Sequence, residues 1–431
     1  MSKRWQLALA ALTVSACAPT PSSPVKVSAL VLDGQGAFVP QTVELLNIEG
    51  LPEVDPITLQ GPAANLVGGA RITVDSNDPQ LQGSLTDTQL IDALVKDKGN
   101  PPRGSYVQKD DVLWPADFDT WNLATTYYNF QQAFAYWQDV VNVPAEELTG
   151  NTVYFFAEFT LTDQSTKPQV DNALFFPPIQ GFVVLPFNTL QKVPLSMSPG
   201  VIAHEFSHRV FNRRAYSGQS VPQPFNEWGG LFQTPGLNLL KSIDEGLADY
   251  HAVGASCQSP YGCDPRFLAA SFDDSGTGNI VDDRDMSLGD KCLTEALWTQ
   301  YQTYDANKFS NAGLQYKLGT VFASALYHAG ESGGPATRVE LERAVAATYA
   351  DTTPATPGIR ELIANNLQTP TGFTLALVAN AFVQHVSDTP LKVELCNQFM
   401  DHLQISHADL PDCPASASGG TTCPALTLGT P

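Results

Sequence analysis

Basic residues are scarce in this sequence: 23 Lys and Arg stand against 44 Asp and Glu, a formal net charge of −21. A surface of that sign repels phosphate backbones and excludes nucleic acid as a partner. It disfavours anionic membrane surfaces for the same reason. Charge of either sign is short as well, at 16% of residues, against about a quarter in an average chain. There is no internal repeat and no second long apolar run after the N-terminal one. No two cysteines have the CxxC spacing of a zinc site. What is plentiful is core material: 43% hydrophobic and 10% aromatic residues exclude global disorder. With 431 residues, the chain exceeds what one hydrophobic core usually serves, so one large two-part domain or two domains are expected. The 32 Gly and 32 Pro make it loop-rich without making it low-complexity.

Lys3 and Arg4 precede an apolar stretch, Leu7 to Ala16, followed by Cys17. That order is the one of an export signal, and its apolar part is too short to span a bilayer as a helix. Val14-Ser15-Ala16-Cys17 resembles the bacterial lipobox, which implies that Cys17 is lipidated and becomes the first mature residue. The expected location is therefore outside the cytoplasm, on the outer membrane or cell surface, with the lipid as the only membrane contact. Losing Lys3 and Arg4 with the leader makes the mature chain more acidic still. Setting Cys17 aside leaves Cys257, Cys263, Cys292, Cys396, Cys413 and Cys423, an even set that suits disulfides in an exported chain. The spacing makes Cys257–Cys263 and Cys413–Cys423 the local candidates.

Short apolar or alternating runs before residue 105, such as Val25 to Val31, are punctuated by Gly and Pro and read as small β-structure. Asp117 to Val141 has aromatics at helical spacing and no Gly or Pro, which predicts a helix. Strands are expected at 152–159, 172–176 and 181–185, and helices at 339–349, 372–386 and 391–403. Strands first and helices later define an α+β chain with its boundary near residue 200. The expected division is a signal at 1–16, a tether at 17–30 and a small β-rich module at 31–105. An α/β lobe at 106–215, a helical lobe at 216–412 and a disulfide-rich or flexible tail at 413–431 follow.

At that boundary stands His204-Glu205-Phe206-Ser207-His208, an HExxH motif. Ser198 suits an N-cap and Pro199 a first helical turn, so a helix is predicted to start just ahead of it. On a helix two histidines four apart lie about 40° from each other and can grip one ion. Glu205 lies roughly 100° round from His204, near the ion yet outside that grip, where a carboxylate can take a proton from a metal-acidified water. Val201, Ile202, Phe206, Val210 and Phe211 make the helix apolar on most sides, and a buried zinc would offset the cost of polar groups there. The third ligand is sought in the run Ser242 to Tyr250: Glu245 and Asp249 share a helix face, Glu245 for the metal and Asp249 to orient a ligand histidine. The competing explanation of that pair is a solvated acidic face. His251 falls on the other side of the helix and reads as an ordinary polar residue. A histidine six residues after His208 would be another third ligand, but that position is Arg214.

HEFSH followed by Glu245-Gly246-Leu247-Ala248-Asp249 resembles the gluzincin zinc metallopeptidases of the thermolysin and fungalysin type, whose pattern is HExxH and then ExxxD. The likeness covers about residues 165–250. It implies a zincin-like two-lobed fold with the active site between a β-rich N-terminal part and a helical C-terminal lobe. It implies Zn2+ on His204, His208 and Glu245, Glu205 as general base, and Asp249 behind the ligands. It also implies an edge strand that pairs with substrate, which Asp171-Asn172-Ala173-Leu174-Phe175 resembles, placing Asn172 and Ala173 against the peptide. Tyr316 to Tyr327 resembles the fungalysin helix HxxGxxFAxALW, with Tyr316 where the family has its oxyanion histidine. A tyrosine hydroxyl can still donate there, and His328 is the other candidate donor. The gap between the motifs is longer than in thermolysin, with a Pro/Gly-rich insert from Tyr216 to Gly236 suited to shaping a cleft. The expected function is an exported zinc endopeptidase acting on peptide or protein substrates. The alternative is a surface lipoprotein with a catalytically impaired zinc site that acts in binding or scaffolding.

Overall fold

The chain was analysed as a computed structural model, which describes residues 24–48, 51–75, 77–81, 85–162, 165–188, 192–217, 235–272, 279–302, 313–367 and 372–426. It is an α+β protein, as expected. The first half runs β1 (Val25–Leu32), β2 (Phe38–Leu45), β3 (Asn65–Gly68), β4 (Arg71–Val74), α1 (Asp87–Leu94), β5 (Val95–Asp97), β6 (Tyr106–Lys109), β7 (Val112–Pro115) and α2 (Phe118–Ala135). After a short α3 (Ala145–Leu148) come β8 (Thr152–Phe155), β9 (Glu158–Leu161), β10 (Ala173–Phe176) and β11 (Gly181–Val184). Helices follow: α4 (Pro199–Ala215), α5 (Pro235–Ser256), α6 (Ile280–Asp283), α7 (Glu295–Gln302), α8 (Leu314–Glu331), α9 (Pro335–Ala350), α10 (Ile359–Asn366), α11 (Leu375–His385) and α12 (Thr389–His402).

The strands form three mixed sheets, ordered β2-β1-β7-β6, β10-β11-β8-β3 and β5-β4-β9. This pairing corrects two expected boundaries. The tether cannot extend to residue 30, because β1 begins at Val25 and pairs along its whole length with β2. Residues 31–105 are no separate module either: β1 pairs with β7, β3 with β8 and β4 with β9, so the early strands are woven into sheets completed after residue 105. The strand expected at 152–159 is two strands. Phe156 takes a left-handed φ of 50° between them, and β9 leaves for a different sheet. Cys17 and the leader lie outside the described residues, as does most of the Tyr216 to Gly236 insert.

Helix α2 begins where the sequence places it: the Asp117 side chain accepts from the Thr120 N–H at 2.7 Å. Beyond Ala135 it loosens into one π turn, Tyr136–Val140. Its aromatics are core, with Tyr127, Phe130 and Trp137 fully enclosed. Phe130 stands edge-on to Phe182 of β11 at 4.8 Å, and Phe206 of α4 stacks on Phe182 at 6.0 Å. Each such ring contributes about 2 kcal/mol by burial alone. Together they fix α4 between the β10–β11 sheet and α2. The other face of that sheet is also covered, since Tyr154, Phe176 and Val183 pack with Leu90 and Leu94 of α1. The entry to α4 is pinned twice: Ser198 caps Val201 N–H, and Asn129 of α2 donates to the Met197 carbonyl at 2.9 Å.

On its far side α4 meets α5, which in turn crosses α8 at very close range. A Cβ on Gly246 would lie 2.2 Å from the Gly319 carbonyl oxygen, and one on Gly319 would lie 2.6 Å from the Ser242 carbonyl oxygen. Two glycines therefore let the helix bearing Glu245 touch the helix bearing Tyr316, backbone to backbone. Three disulfides staple the C-terminal half: Cys257–Cys263, Cys292–Cys423 and Cys396–Cys413. The first matches expectation and the Cys413–Cys423 pairing does not. The tail folds back so that Cys413 reaches α12 and Cys423 reaches the segment before α7, with Asp401 accepting the Thr422 and Cys423 N–H groups. Disulfides of this kind belong to oxidising compartments outside the cytoplasm. No helix among the described residues is long and apolar enough to cross a membrane.

Candidate metal centre

Helix periodicity brings His204 and His208 to one face of α4, and their Nε2 atoms face each other at 3.0 Å. Packing of α5 against α4 delivers Glu245 to the same point: its Oε2 lies 3.4 Å from His204 Nε2 and 3.3 Å from His208 Nε2. All three residues are at least nine-tenths buried. Each histidine is oriented from behind by a carboxylate. His204 Nδ1 lies 2.8 Å from Asp249 Oδ1, and His208 Nδ1 lies 2.6 Å from Asp244 Oδ1. Carboxylates only accept, so each Nδ1 donates its N–H to the carboxylate behind it and each Nε2 is turned inward.

These residues suit a divalent cation. Oε2 of Glu245 is buried and closes no hydrogen bond, an orphaned acceptor facing the two inward Nε2 atoms. A triangle with sides of 3.0, 3.3 and 3.4 Å has points about 2 Å from every corner, the ligand distance of zinc. Two imidazoles and a carboxylate are also a donor set that zinc accepts, with further positions left for water. A second convergence of potential ligands, Cys292, Cys423 and His402, is of another kind, since its two sulfurs are already bonded to each other.

The electrostatics favour an ion too. Burial penalises the charged form of Glu245, yet Lys241 and His208 outweigh it and hold the carboxyl well below its ordinary range. Burial likewise opposes a charged His208, and Asp244 and Glu245 overcome it, pushing the imidazole up to about 10. Without an ion His208 therefore keeps a proton that an ion would replace. Glu205 behaves differently. Burial raises its carboxyl above the ordinary value, against the pull of His204 and His208. Its Oε2 accepts the backbone N–H of Phe175 at 2.6 Å.

Phe175 belongs to β10, which among the described residues has a sheet neighbour on one side only. In antiparallel register with β11, Phe175 opposes Phe182 and Ala173 opposes Val184, and the N–H of Phe175 points outward to Glu205. The N–H of Ala173 is held by the side-chain oxygen of its neighbour Asn172 at 2.9 Å. Asn172 and Ala173 thus lie at the start of an edge strand whose third residue touches Glu205. Tyr316, at the start of α8, packs its ring against the Arg284 guanidinium at 4.6 Å. The charge of Glu245, then burial, raises its phenol above the ordinary value, so the hydroxyl keeps its proton. His328 is elsewhere: it stacks on His402 at 5.3 Å, three turns and about 18 Å further along the helix, and cannot serve beside Tyr316. His251 lies away from the ligands as expected, but it is more than an ordinary polar residue. It is fully buried, bonded to Tyr136 at 2.8 Å and Tyr349 at 3.0 Å, and burial pushes it down to about 3.

Three participants escaped the sequence reading. Asp244 adjoins Glu245 and serves the second histidine; two metal-binding histidines call for two orienting acceptors, and this was the signal. Lys241 lies one turn before Glu245, an i,i+4 spacing visible in the sequence, with Nζ 2.8 Å from Oε1. Arg284 closes bidentately on Asp249, its Nε 2.9 Å from Oδ2 and its Nη2 on Oδ1. No local pattern marks it; only the need of a buried Asp249 for a countercharge does. The fold and site together define an α+β protein with a candidate divalent-metal centre. No protein-family model matches the chain, and no curated protein matches it.

Proposed function

We propose that the chain is an exported zinc-dependent endopeptidase. The observation carrying this reading is the meeting of three ligand atoms with a protonatable Glu205 that is itself bonded to an edge strand. A zinc ion on His204, His208 and Glu245 would supply Lewis-acid polarisation and acidify a water near neutral pH. Glu205, with its carboxyl raised by burial, takes the proton as the water oxygen bonds to the scissile carbonyl carbon. It then passes that proton to the leaving amine as the C–N bond breaks. An extended peptide along the edge of β10 would take over the Phe175 and Ala173 N–H groups from Glu205 and the Asn172 side chain, a mode of pairing that suits a main-chain substrate more than a small molecule. Tyr316 supplies a hydroxyl donor for the developing oxyanion, and the nearby Arg284 cation makes that donor stronger. Lipidation at Cys17 would tether the enzyme to a membrane outside the cytoplasm.

The test is metal analysis with casein cleavage for the wild type, His208→Ala and Glu205→Gln in parallel. Glu205→Gln is expected to retain zinc and to lose at least roughly 10²-fold in turnover; His208→Ala is expected to lose the metal as well. Hydrolysis by Glu205→Gln comparable to wild type would overturn the assignment. One observation favours a second reading, a binding lipoprotein with an impaired zinc site: the tyrosine at 316. Stoichiometric zinc in a protein that leaves casein intact would support it.

A further inference from the structure

Lys241 sits beside a carboxylate that the reading above assigns to zinc, and its position is not explained by helix stability. An ammonium one turn N-terminal to a glutamate is the less favourable order for an i,i+4 pair. Its charge also opposes a cation on the same carboxylate. The contact is nevertheless well made: Nζ is 2.8 Å from Glu245 Oε1 and 4.0 Å from Asp244 Oδ2. The side chain is about one-third exposed, whereas Glu245 is 5% exposed, so the lysine reaches inward from a partly open side. The two oxygens of Glu245 therefore have different neighbours. Oε2 faces both histidine Nε2 atoms, and Oε1 faces Lys241.

We propose that Lys241 is a positioning residue that confines Glu245 to one-oxygen ligation of the metal. A glutamate beside an ion can give one oxygen or two, and two would occupy space that water and a substrate carbonyl need. A charge-assisted bond to Oε1 removes the second oxygen from the ion and fixes the rotation of the carboxylate about its own axis. The lysine acts through Glu245 and touches no reacting atom. The inference rests on the zinc reading, and it specifies a coordination mode that the reading by itself leaves open.

The experiment is Co2+ substitution of the purified full chain, with visible absorption and chelator competition, for wild type, Lys241→Met, Lys241→Gln and Lys241→Arg. Far-UV circular dichroism establishes that each variant is folded. Because ligand number and geometry govern the cobalt bands, both neutral variants are expected to absorb about two-fold more weakly per cobalt. They are also expected to hold the metal about ten-fold more tightly, through a second Glu245 oxygen and a lost charge repulsion. Arginine, which keeps the charge and the donors, is expected to restore the wild-type spectrum. A lysine that merely stabilises α5 would leave the bands unchanged or loosen the metal. Folded neutral variants with a wild-type spectrum would overturn this inference alone. Wild-type protein that binds no Co2+ or Zn2+ at all would overturn the zinc reading and this inference with it.

Discussion

Metal uptake by this site should be a proton exchange, and His208 sets its size. In the ion-free protein Asp244 and Glu245 outweigh burial and push the imidazole up to about 10, from 6.5 in an unfolded chain. The folded value is raised, so the stabilisation is fully present below pH 6.5 and disappears as pH rises through about 10. At about 1.4 kcal/mol per unit, the whole window is worth on the order of 5 kcal/mol to ion-free stability. A metal ligand must be deprotonated, so zinc pays the reverse: binding at pH 7 displaces one proton and costs about 4 kcal/mol relative to pH 10. Two measurements should therefore mirror each other. Melting of EDTA-treated protein should weaken from pH 6.5 upward, while zinc affinity, measured by chelator competition, climbs about ten-fold per pH unit over the same range. Calorimetry in buffers of different ionisation heat should count close to one proton released at pH 7. Asp244→Asn removes the strongest charged partner and should shift the climb to lower pH. Zinc affinity that is flat between pH 6.5 and 9 would refute the reasoning.

Two further outcomes concern the frame. Gly246→Ala puts a Cβ 2.2 Å from the Gly319 carbonyl oxygen, so it should force α5 and α8 apart; a loss of about 3 kcal/mol in urea unfolding is expected, and an unchanged midpoint would refute the backbone contact. Cys292→Ser with Cys423→Ser opens a link across 131 positions of sequence; about 2–4 kcal/mol should be lost in denaturant titration while zinc content is retained, because neither sulfur lies among the ligands.

The candidate metal site was legible because its signal is local and periodic. Four-residue spacing on a helix puts His204 with His208 and Glu245 with Asp249, whatever surrounds them. The cap at Ser198 and the core role of the α2 aromatics follow from equally short-range rules. Sheet assembly was not legible. Nothing near Val25 announces β7 as its partner, and the split at Phe156 depends on one left-handed residue that carries a β-forming side chain. Cysteine pairing failed at the tail for a related reason: proximity in sequence favoured Cys413 with Cys423, but the chain reversal after α12 brings each to a different, distant partner. Arg284 was invisible because its justification is a buried charge on another helix, a fact of packing. Lys241 was visible as a spacing and meaningless until the two oxygens of Glu245 had different neighbours.

The bond from Phe175 to Glu205 divides one residue between two masters. Its ring answers to the core, where Phe182 lies 5.3 Å away, and its N–H answers to Glu205. Because the donor is main chain, every amino acid but proline preserves it. Position 175 is thus free to drift among core-filling side chains while Glu205 keeps its partner, and an ordinary alanine scan would never find the contact. The change that would reveal it replaces the amide itself: an ester linkage at 175, which leaves the ring in place and removes the N–H donor whose hydrogen bond Glu205 accepts.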